Sequence, residues 1–342
     1  MFDYDALALI WFLLLGVLLV GYSVLDGFDL GVGILHPIAR TDTDRRLILN
    51  SIGPLWDGNE VWLVTFGGAL FAAFPNAYAS LFSGFYVALM LLLFALIFRA
   101  VSIEFRSKTS HPGWRRLWDF GFFGASLLAA LLLGVAGGNV MLGVPIDGQM
   151  VIRQPLLQQL SAYPLLVGAL TVSLFTMHGA IFLYLKTEAE LQQRTLRWIW
   201  RAFGTFLIVY ILTTMYTLVQ VPRAVANFRQ YPWLWIVPIL NVFAIANIPR
   251  ALFKQQPAYA FVSSCATIAA LATLFATAIF PNLLPSSLDP ANSLTIYNAR
   301  SSERTLGIML AVAMIGLPFV LTYTVVIYWV FHGKVKLDRT SY

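Results

Sequence analysis

The sequence predicts an all-α polytopic membrane protein, because its composition, its long apolar segments and the placement of its charges all fit that class. Of the 342 residues, 59% are hydrophobic and 11% are charged, against roughly 45–50% and 25% in soluble domains. The mean hydropathy is +0.76. No polar block is long enough for a separate soluble domain, so residues 1–342 are expected to form one integral-membrane domain.

Nine segments have the length of about 17–25 apolar residues that a transmembrane helix requires. They lie near Ala6–His36, Ile48–Phe74, Tyr78–Arg99, Asp119–Met141, Ser161–Leu185, Trp198–Val219, Trp233–Phe253, Ala258–Phe280 and Leu306–Phe331. Two four-helix bundles plus one extra helix fit this number. The first segment lacks the positively charged region of a signal peptide, so we expect it to be a helix of the folded protein.

The basic residues follow the positive-inside rule if the N-terminus lies outside the cell. In that orientation the cytoplasmic loops hold seventeen of the 22 Lys and Arg residues. The net charge of +6 therefore reflects the orientation of the chain in the membrane. It does not indicate a surface that binds nucleic acid. An odd number of helices then puts the C-terminus in the cytoplasm.

Four carboxylates lie inside the first two predicted helices. Asp26 and Asp29 belong to the first, and Asp57 and Glu60 lie in the second within the stretch LWDGNEVW. An ionised acid near the bilayer centre costs about 2.5–3.5 kcal/mol, so packing alone does not account for four of them. The i, i+3 spacing puts each pair on one helix face, and two antiparallel helices bring all four to roughly 12–20 Å from the cytoplasmic surface. Arg99, near the cytoplasmic end of the third helix, is the nearest basic residue that could neutralise them.

Several functions are compatible with these acids. Acids crowded in a poorly solvated site can hold protons at neutral pH, which suits a proton relay. They could instead cap helices or hold a partner chain, as in a purely structural subunit, or coordinate a hard cation together with Asn59. A proton- or sodium-coupled secondary transporter also fits, since Gly27 and Pro54–Gly58 would allow helix breaks near the midplane.

Other chemistry is poorly represented in the sequence. Only His178 lies deep in an apolar segment, and His36, His111 and His332 sit at cytoplasmic ends, so two axial haem ligands at matching depth are not available. We expect His178 to be packed or hydrogen-bonded. The single Cys265 permits no intrachain disulfide, and we expect no metal site, phosphate loop or nucleophilic triad on this chain.

Four stretches near the N-terminus and a block near the C-terminus resemble subunit II of the cytochrome bd-type quinol oxidases. The first group comprises Leu25–Gly33 (LDGFDLGVG), Asn50–Pro75 with the WDGN motif, Ser83–Val87 (SGFYV) and Phe98–Lys108 (FRAVSIEFRSK). The second comprises Phe280-Pro281, Pro285–Ser287, Ser293–Thr295 and Ser301-Ser302. The WDGN block is the most specific of these, whereas residues 120–280 match mainly in pattern.

The resemblance implies a non-haem subunit of a quinol:oxygen oxidoreductase in a bacterial or archaeal cell membrane, inactive alone. In this family, subunit I holds two b-type haems, one d-type haem and the loop that oxidises quinol, and protons for oxygen reduction come from the cytoplasm. Some members hold a quinone in subunit II in a structural role, and small accessory subunits also occur as partners in the membrane. Acids at the positions of Asp29 and Asp57 serve proton uptake, and Asp26 and Glu60 share their helix faces. Trp56, Gly58, Asn59, Trp62 and Arg99 would support that motif.

Overall fold

The computed structural model describes residues 3–337, and nearly all regular structure within that range is helical. The helices are α1 (Tyr4–Leu35), α2 (Asp42–Ile52), α3 (Trp56–Ala73), α4 (Pro75–Gly84), α5 (Tyr86–Phe105), α6 (Pro112–Leu142), α7 (Leu156–Gln159), α8 (Ala162–Lys186), α9 (Ala189–Gln220), α10 (Ala226–Gln230), α11 (Ile236–Phe253), α12 (Pro257–Ile279) and α13 (Glu303–Val330). Strands β1 (Asn282–Leu284) and β2 (Leu294–Thr295) form a small antiparallel pair. Short 3₁₀ turns cover His36–Ile38, Arg106–Lys108, Pro222–Val225, Pro232–Trp235 and Pro290–Asn292.

Eight helices of the described range are long and apolar enough to cross a membrane. They are α1, α5, α6, α8, α9, α11, α12 and α13, the first, second and sixth of them with short 3₁₀ extensions. The predicted class, an all-α polytopic membrane protein, is therefore confirmed. The number nine is not, because α3, although 18 residues long, carries Asp57, Asn59 and Glu60 near its start and is not among these eight.

The second and third predicted helices differ from the observed ones. The predicted second segment is divided into α2 and α3, because Pro54 lacks a backbone N–H and its ring obstructs the preceding turn. The predicted third segment joins the end of α4 to most of α5, and the observed α5 continues to Phe105. Arg99 consequently lies inside a helix and not at its cytoplasmic end. The break considered at Gly27 does not occur, since α1 is continuous.

Helix α1 lies at the centre and packs against α3, α6, α8 and α12. Its crossing with α8 is close because glycines meet there. A Cβ on Gly31 would lie 1.8 Å from the carbonyl oxygen of Phe175, and one on Gly179 would lie 2.5 Å from the backbone of Gly31. Small residues let two membrane helices touch through their backbones, so this crossing holds α1 in register with α8.

The two ends of the bundle are tied by different loops. At the end that contains Tyr4, its hydroxyl donates to the carbonyl of Ser301, whose own N–H donates to Ala73. At the end that contains Lys186, its amine donates to the carbonyl of Phe331. We call these the Tyr4 end and the Lys186 end. The two long loops, 143–161 and 280–302, meet at the Tyr4 end, where Val144 pairs with Ser286.

Candidate functional site

Two fully buried carboxylates, Asp26 and Asp29, lie one turn apart on α1. Each has one oxygen bound to another side chain and one without a hydrogen-bond partner among the described residues, namely Asp26 Oδ2 and Asp29 Oδ1. A carboxylate oxygen that is free of other bonds can take up a proton. Both acids therefore keep a position for proton binding within the helix bundle.

Arg99 brings a positive charge to this site from α5. Its Nη2 lies 2.6 Å from Asp26 Oδ1 and 3.2 Å from Glu60 Oε2. Arg99 and Asp26 are both fully buried, whereas the side chain of Glu60 is 21% exposed. Removing two charges from water is costly, so a buried pair of this kind is kept together by direct contact and by further hydrogen bonds. One guanidinium cannot neutralise three carboxylates, and protons can supply the remaining balance.

Asn59 connects the other acid to a distant helix. Its side-chain amide donates to Asp29 Oδ2 at 2.8 Å and to the carbonyl of Leu25 at 3.3 Å. Its oxygen accepts from the hydroxyl of Tyr328, on α13, at 3.0 Å. A single side chain thus joins α1, α3 and α13 at the level of the acids. Tyr328 was not predicted, since nothing in its local sequence relates it to a residue 269 positions earlier.

Asp57 lies apart from the other three acids. It is solvent-exposed on this chain and has no hydrogen bond or ion pair with the described residues. Because α3 begins at Trp56, Asp57 stands in its first turn and on a different side from Asn59, which is buried against α1. The expected convergence of four carboxylates is therefore observed for Asp26, Asp29 and Glu60 only.

The other residues of the WDGN stretch pack the start of α3 against its neighbours. Trp56 is half-buried against the main apolar cluster, and Gly58 lies beside Tyr323 of α13. The indole of Trp62 covers Gly21 of α1 so closely that a Cβ there would lie 2.2 Å from the ring. This contact fixes the register in which Asn59 and Glu60 meet the acids of α1.

A second polar network, absent from the sequence prediction, lies at the Lys186 end of the bundle. Asp119 of α6 accepts from Arg106 at 2.5 Å and contacts His36 at 2.6 Å. Arg106 also reaches Asp42 of α2 at 2.7 Å, and Asp42 pairs with Arg115 at 3.0 Å. These contacts hold α2 against α5 and α6, beneath the buried acids.

His178, the one histidine that the sequence places deep in an apolar segment, is engaged by contacts within the protein. Both ring nitrogens of His178 are engaged, Nδ1 with Ser264 Oγ at 2.7 Å and Nε2 with the carbonyl of Val24 at 3.0 Å. His178 therefore joins α1, α8 and α12, as expected of a hydrogen-bonded histidine. Across residues 3–337 no group of three or more His, Cys, Asp or Glu side chains could hold a metal ion, and Arg99 occupies the place among the acids where a cation would sit.

An elongated apolar cavity of about 460 Å³ lies among α1, α6, α8, α9 and α12. Its lining is mostly aliphatic and aromatic, with hydroxyl groups from Tyr22, Tyr163 and Thr217 among others. Tyr22 is one turn before Asp26 on α1 and its hydroxyl is buried without a partner in the described part of the chain. The volume is within the range of about 300–1,000 Å³ that is usual for small-molecule sites.

Comparison with known proteins gives a consistent result. Residues 7–331 match the family described as cytochrome bd terminal oxidase subunit II. The chain is 38% identical to cytochrome bd-I ubiquinol oxidase subunit 2 of Escherichia coli K12, over 99% of this chain and 97% of that protein. It is 34% identical to cytochrome bd ubiquinol oxidase subunit 2 of Bacillus subtilis, over 96% of each chain.

A solved structure, that of the bd oxidase from Geobacillus thermodenitrificans, has the same fold. The TM-score is 0.78, and the match covers 95% of this chain and 98% of the other at 17% sequence identity. At that identity the match concerns the fold alone.

Proposed function

The chain belongs to the cytochrome bd terminal oxidase subunit II family, and on that basis we propose that it delivers cytoplasmic protons toward a haem-bearing partner. It is a subunit of a bd-type terminal oxidase, an oxidoreductase complex in the bacterial cell membrane. The partner is subunit I, expected to hold two b-type haems and one d-type haem. This chain supplies the acids and the membrane support, and quinol is oxidised on the partner.

The proposal rests on one observation, which is that the four acids range from fully buried side chains to one on the surface of the chain. Asp26 and Asp29 are fully buried, Glu60 is 21% exposed and Asp57 lies on the surface of α3. A carboxylate facing lipid at this depth is costly. Asp57 is therefore expected to face a polar group or water held by another chain, which makes it the exit from the buried acids.

The surface around Asp57 has the character of a subunit interface. Of the described residues, α13 contributes only Leu306 to the buried set, and Phe319 and Trp329 on it are each 72% exposed. Phe94 of α5 and Val64 of α3 are 59% and 71% exposed. We define the partner face as the exposed surface of α3, α5 and α13, and Asp57 lies on it.

We propose a proton route that uses these positions. Protons enter at the Lys186 end, where α2 and its charged network lie, and are taken up on the free oxygens of Asp29 and Asp26. Arg99 keeps Asp26 and Glu60 within one hydrogen-bond length of a shared donor. Glu60 lies one turn after Asp57 on α3. Asp57 then passes the proton to the partner face.

The proposed orientation of the chain in the membrane depends on which end of the bundle each terminal segment occupies. Tyr4 and Phe331 lie at opposite ends, which supports an odd number of crossings. Counting α2 and α3 together as one broken crossing gives nine, with the N-terminus outside and the C-terminus in the cytoplasm. The charged residues of the Lys186 end fit the positive-inside rule in this orientation. The division into two four-helix bundles and one extra helix stays a prediction.

A quinone would have a structural role if this chain binds one. The cavity of about 460 Å³ is mainly apolar, and the hydroxyl of Tyr22, which has no partner in the described part of the chain, could donate to a quinone carbonyl. Of the two helix breaks that a secondary transporter would use, the one at Pro54 is present and the one at Gly27 is not, because α1 is unbroken. Arg99 also lies among the acids where a bound cation would sit, so this alternative has less support.

The test is the variant Asp57→Asn in the purified complex. Asn has nearly the size of Asp and can still form hydrogen bonds, but it cannot release and regain a proton. We expect oxygen consumption with a soluble quinol, normalised to haem, to fall at least about tenfold, while assembly and the haem spectrum are retained. Glu188→Gln, at an exposed acid of the Lys186 end, is the control and should keep the wild-type rate.

Two further results distinguish the alternatives. Asp29→Asn should slow turnover similarly, and the double variant should be far from additive if both acids serve one relay. A wild-type rate for Asp57→Asn at every pH would leave the subunit a scaffold. A rate that depends on sodium concentration would favour a cation site.

A further inference from the structure

A basic pocket of about 340 Å³ lies at the Lys186 end, between the turn that follows α1 and the first turns of α9. Arg40, Arg194, Arg197 and Arg201 line it together with Trp198, and no acidic residue does. None of these arginines is bonded to Asp26, Asp29 or Glu60 among the described contacts. The proton site therefore does not account for the pocket.

Arg194 is the buried member of the pocket. It is 5% exposed and donates to Asp44 Oδ2 and Glu190 Oε1, each at 2.7 Å. Its Nε is buried with no acceptor in the described part of the chain. A buried guanidinium N–H without an acceptor is costly, and Arg194 lines the pocket, so the wall of the pocket contains a hydrogen-bond donor that is not satisfied within the described part of the chain.

The other three arginines are exposed and lack an acidic partner among residues 3–337. Arg201 lies over the ring of Trp198 at 5.1 Å, which holds its guanidinium at the pocket. Asp44 and Glu190 are both used by Arg194, so Arg40, Arg197 and Arg201 keep their full charge. Arginine recognises phosphate by paired N–H donors, and the pocket thus suits a phosphate group.

An apolar stripe continues from the pocket along the same face of α9. Arg197 and Arg201 are followed at helical spacing by Gly204, Ile208, Leu212 and Met215. Ile208, Leu212 and Met215 are 63%, 51% and 61% exposed. A Cβ on Gly204 would meet nothing within 4 Å, so no other part of the described chain covers α9 at the glycine next to the arginines.

We propose that this pocket binds the phosphate headgroup of an anionic phospholipid, whose acyl chain lies along the apolar stripe of α9. The arginines hold the headgroup and Trp198 stands at the level where interfacial tryptophans concentrate. A soluble phosphate would use the arginines but would have no use for the stripe. The lipid is therefore the better fit of the two sources of phosphate.

The experiment uses the intact oxidase complex, stripped of lipid in detergent and titrated with dioleoylphosphatidylglycerol in native mass spectrometry. Dioleoylphosphatidylcholine is the neutral comparison. We expect Arg197→Gln/Arg201→Gln to weaken phosphatidylglycerol binding about tenfold or more, because each basic residue near a membrane surface contributes on the order of a factor of five. Glu190→Gln, which removes an exposed acid beside the pocket, should strengthen binding a few-fold.

The matched control is Lys108→Gln/Arg116→Gln, which removes two exposed charges at the same end of the bundle but outside the pocket. It should leave the affinity unchanged, and the haem spectrum should report an intact complex in every case.

Unchanged phosphatidylglycerol binding in the pocket variant would overturn the proposal. So would displacement of the lipid by millimolar inorganic phosphate, which would assign the pocket to a soluble anion. Loss of the partner subunit from the pocket variant with lipid binding intact would assign it to a protein contact and overturn the proposal too.

Discussion

Replacing Arg99 with Met tests how the buried acids are held. Arg99 and Asp26 are both fully buried at 2.6 Å, so Arg99→Met leaves the Asp26 carboxylate in an apolar interior without its cation. Removing one partner of such a pair costs about 3–5 kcal/mol. At roughly 2 °C per kcal/mol for a large chain, the apparent melting temperature should fall by about 6–10 °C.

The second substitution separates the lost charge balance from lost packing. Asp26→Asn in the Arg99→Met background removes the unpaired charge, and neutral replacements of buried ion pairs are often tolerated. We expect the double variant to recover most of the lost stability, with a coupling energy of about 2–4 kcal/mol. Oxygen consumption should stay low in the double variant, because an amide in place of the Asp26 carboxyl cannot carry a proton.

The assay is the loss of the haem spectrum and of co-purifying subunits during a thermal ramp. Lys108→Met removes an exposed cation from the 3₁₀ turn after α5 and should shift the midpoint very little, because exposed charges contribute little to stability. A double variant whose loss of stability equals the sum of the losses in Arg99→Met and Asp26→Asn would show that the pair is not coupled. It would also refute the view that Arg99 balances Asp26.

Three other predictions follow from the fold. The chain expressed without its partner should bind no haem, and a stoichiometric haem spectrum would contradict this. A reporter fused after Leu337 should be active in the cytoplasm only; activity outside the cell would reverse the proposed orientation. Hydrogen bonds from Arg194 and from the N–H groups of Arg40 and Thr41 lower the pKa of Asp44 although partial burial opposes this. The stabilisation by Asp44 is therefore present above the ordinary Asp value of about 4 and disappears as the pH falls through the lowered value. Asp44→Asn should lower the melting temperature at neutral pH, and this effect should become smaller as the pH is lowered from about 4; an effect that stays the same as the pH is lowered would contradict the assignment.

The membrane class and most helix positions follow from the sequence because hydrophobic length is a local property. Segments such as Ala162–Lys186 and Pro257–Ile279 were predicted to within one or two residues of their observed ends. Helices α6 and α9 begin earlier than predicted, at Pro112 and Ala189 and not near Asp119 and Trp198. The division into helices differs near Pro54 and Pro75. There the average hydropathy continues across a proline that ends one helix and begins another, so a window average cannot locate the boundary.

Part of the candidate site could be predicted from the sequence for the same reason. The i, i+3 spacing of Asp26 and Asp29 is visible in the sequence, and so is the rarity of Arg99 among apolar residues. The side of α3 on which Asp57 lies depends on where the helix begins, which Pro54 determines. Tyr328 and the pairing of Asp119 with His36 depend on contacts between distant segments, for which a single sequence carries no local signal.

The bond from Tyr328 to Asn59 has a consequence for biosynthesis. Its two residues are separated by 269 positions, so the ribosome has released almost the whole chain before the hydroxyl is available. Until α13 enters the membrane, the amide oxygen of Asn59 lacks this donor and the first helices are incompletely tied. Membrane insertion of the last helix is thus the step at which the acid site is finished. A chain that ends before α13 would keep the bonds from Asn59 to Leu25 and Asp29 and would lack only the one from Tyr328.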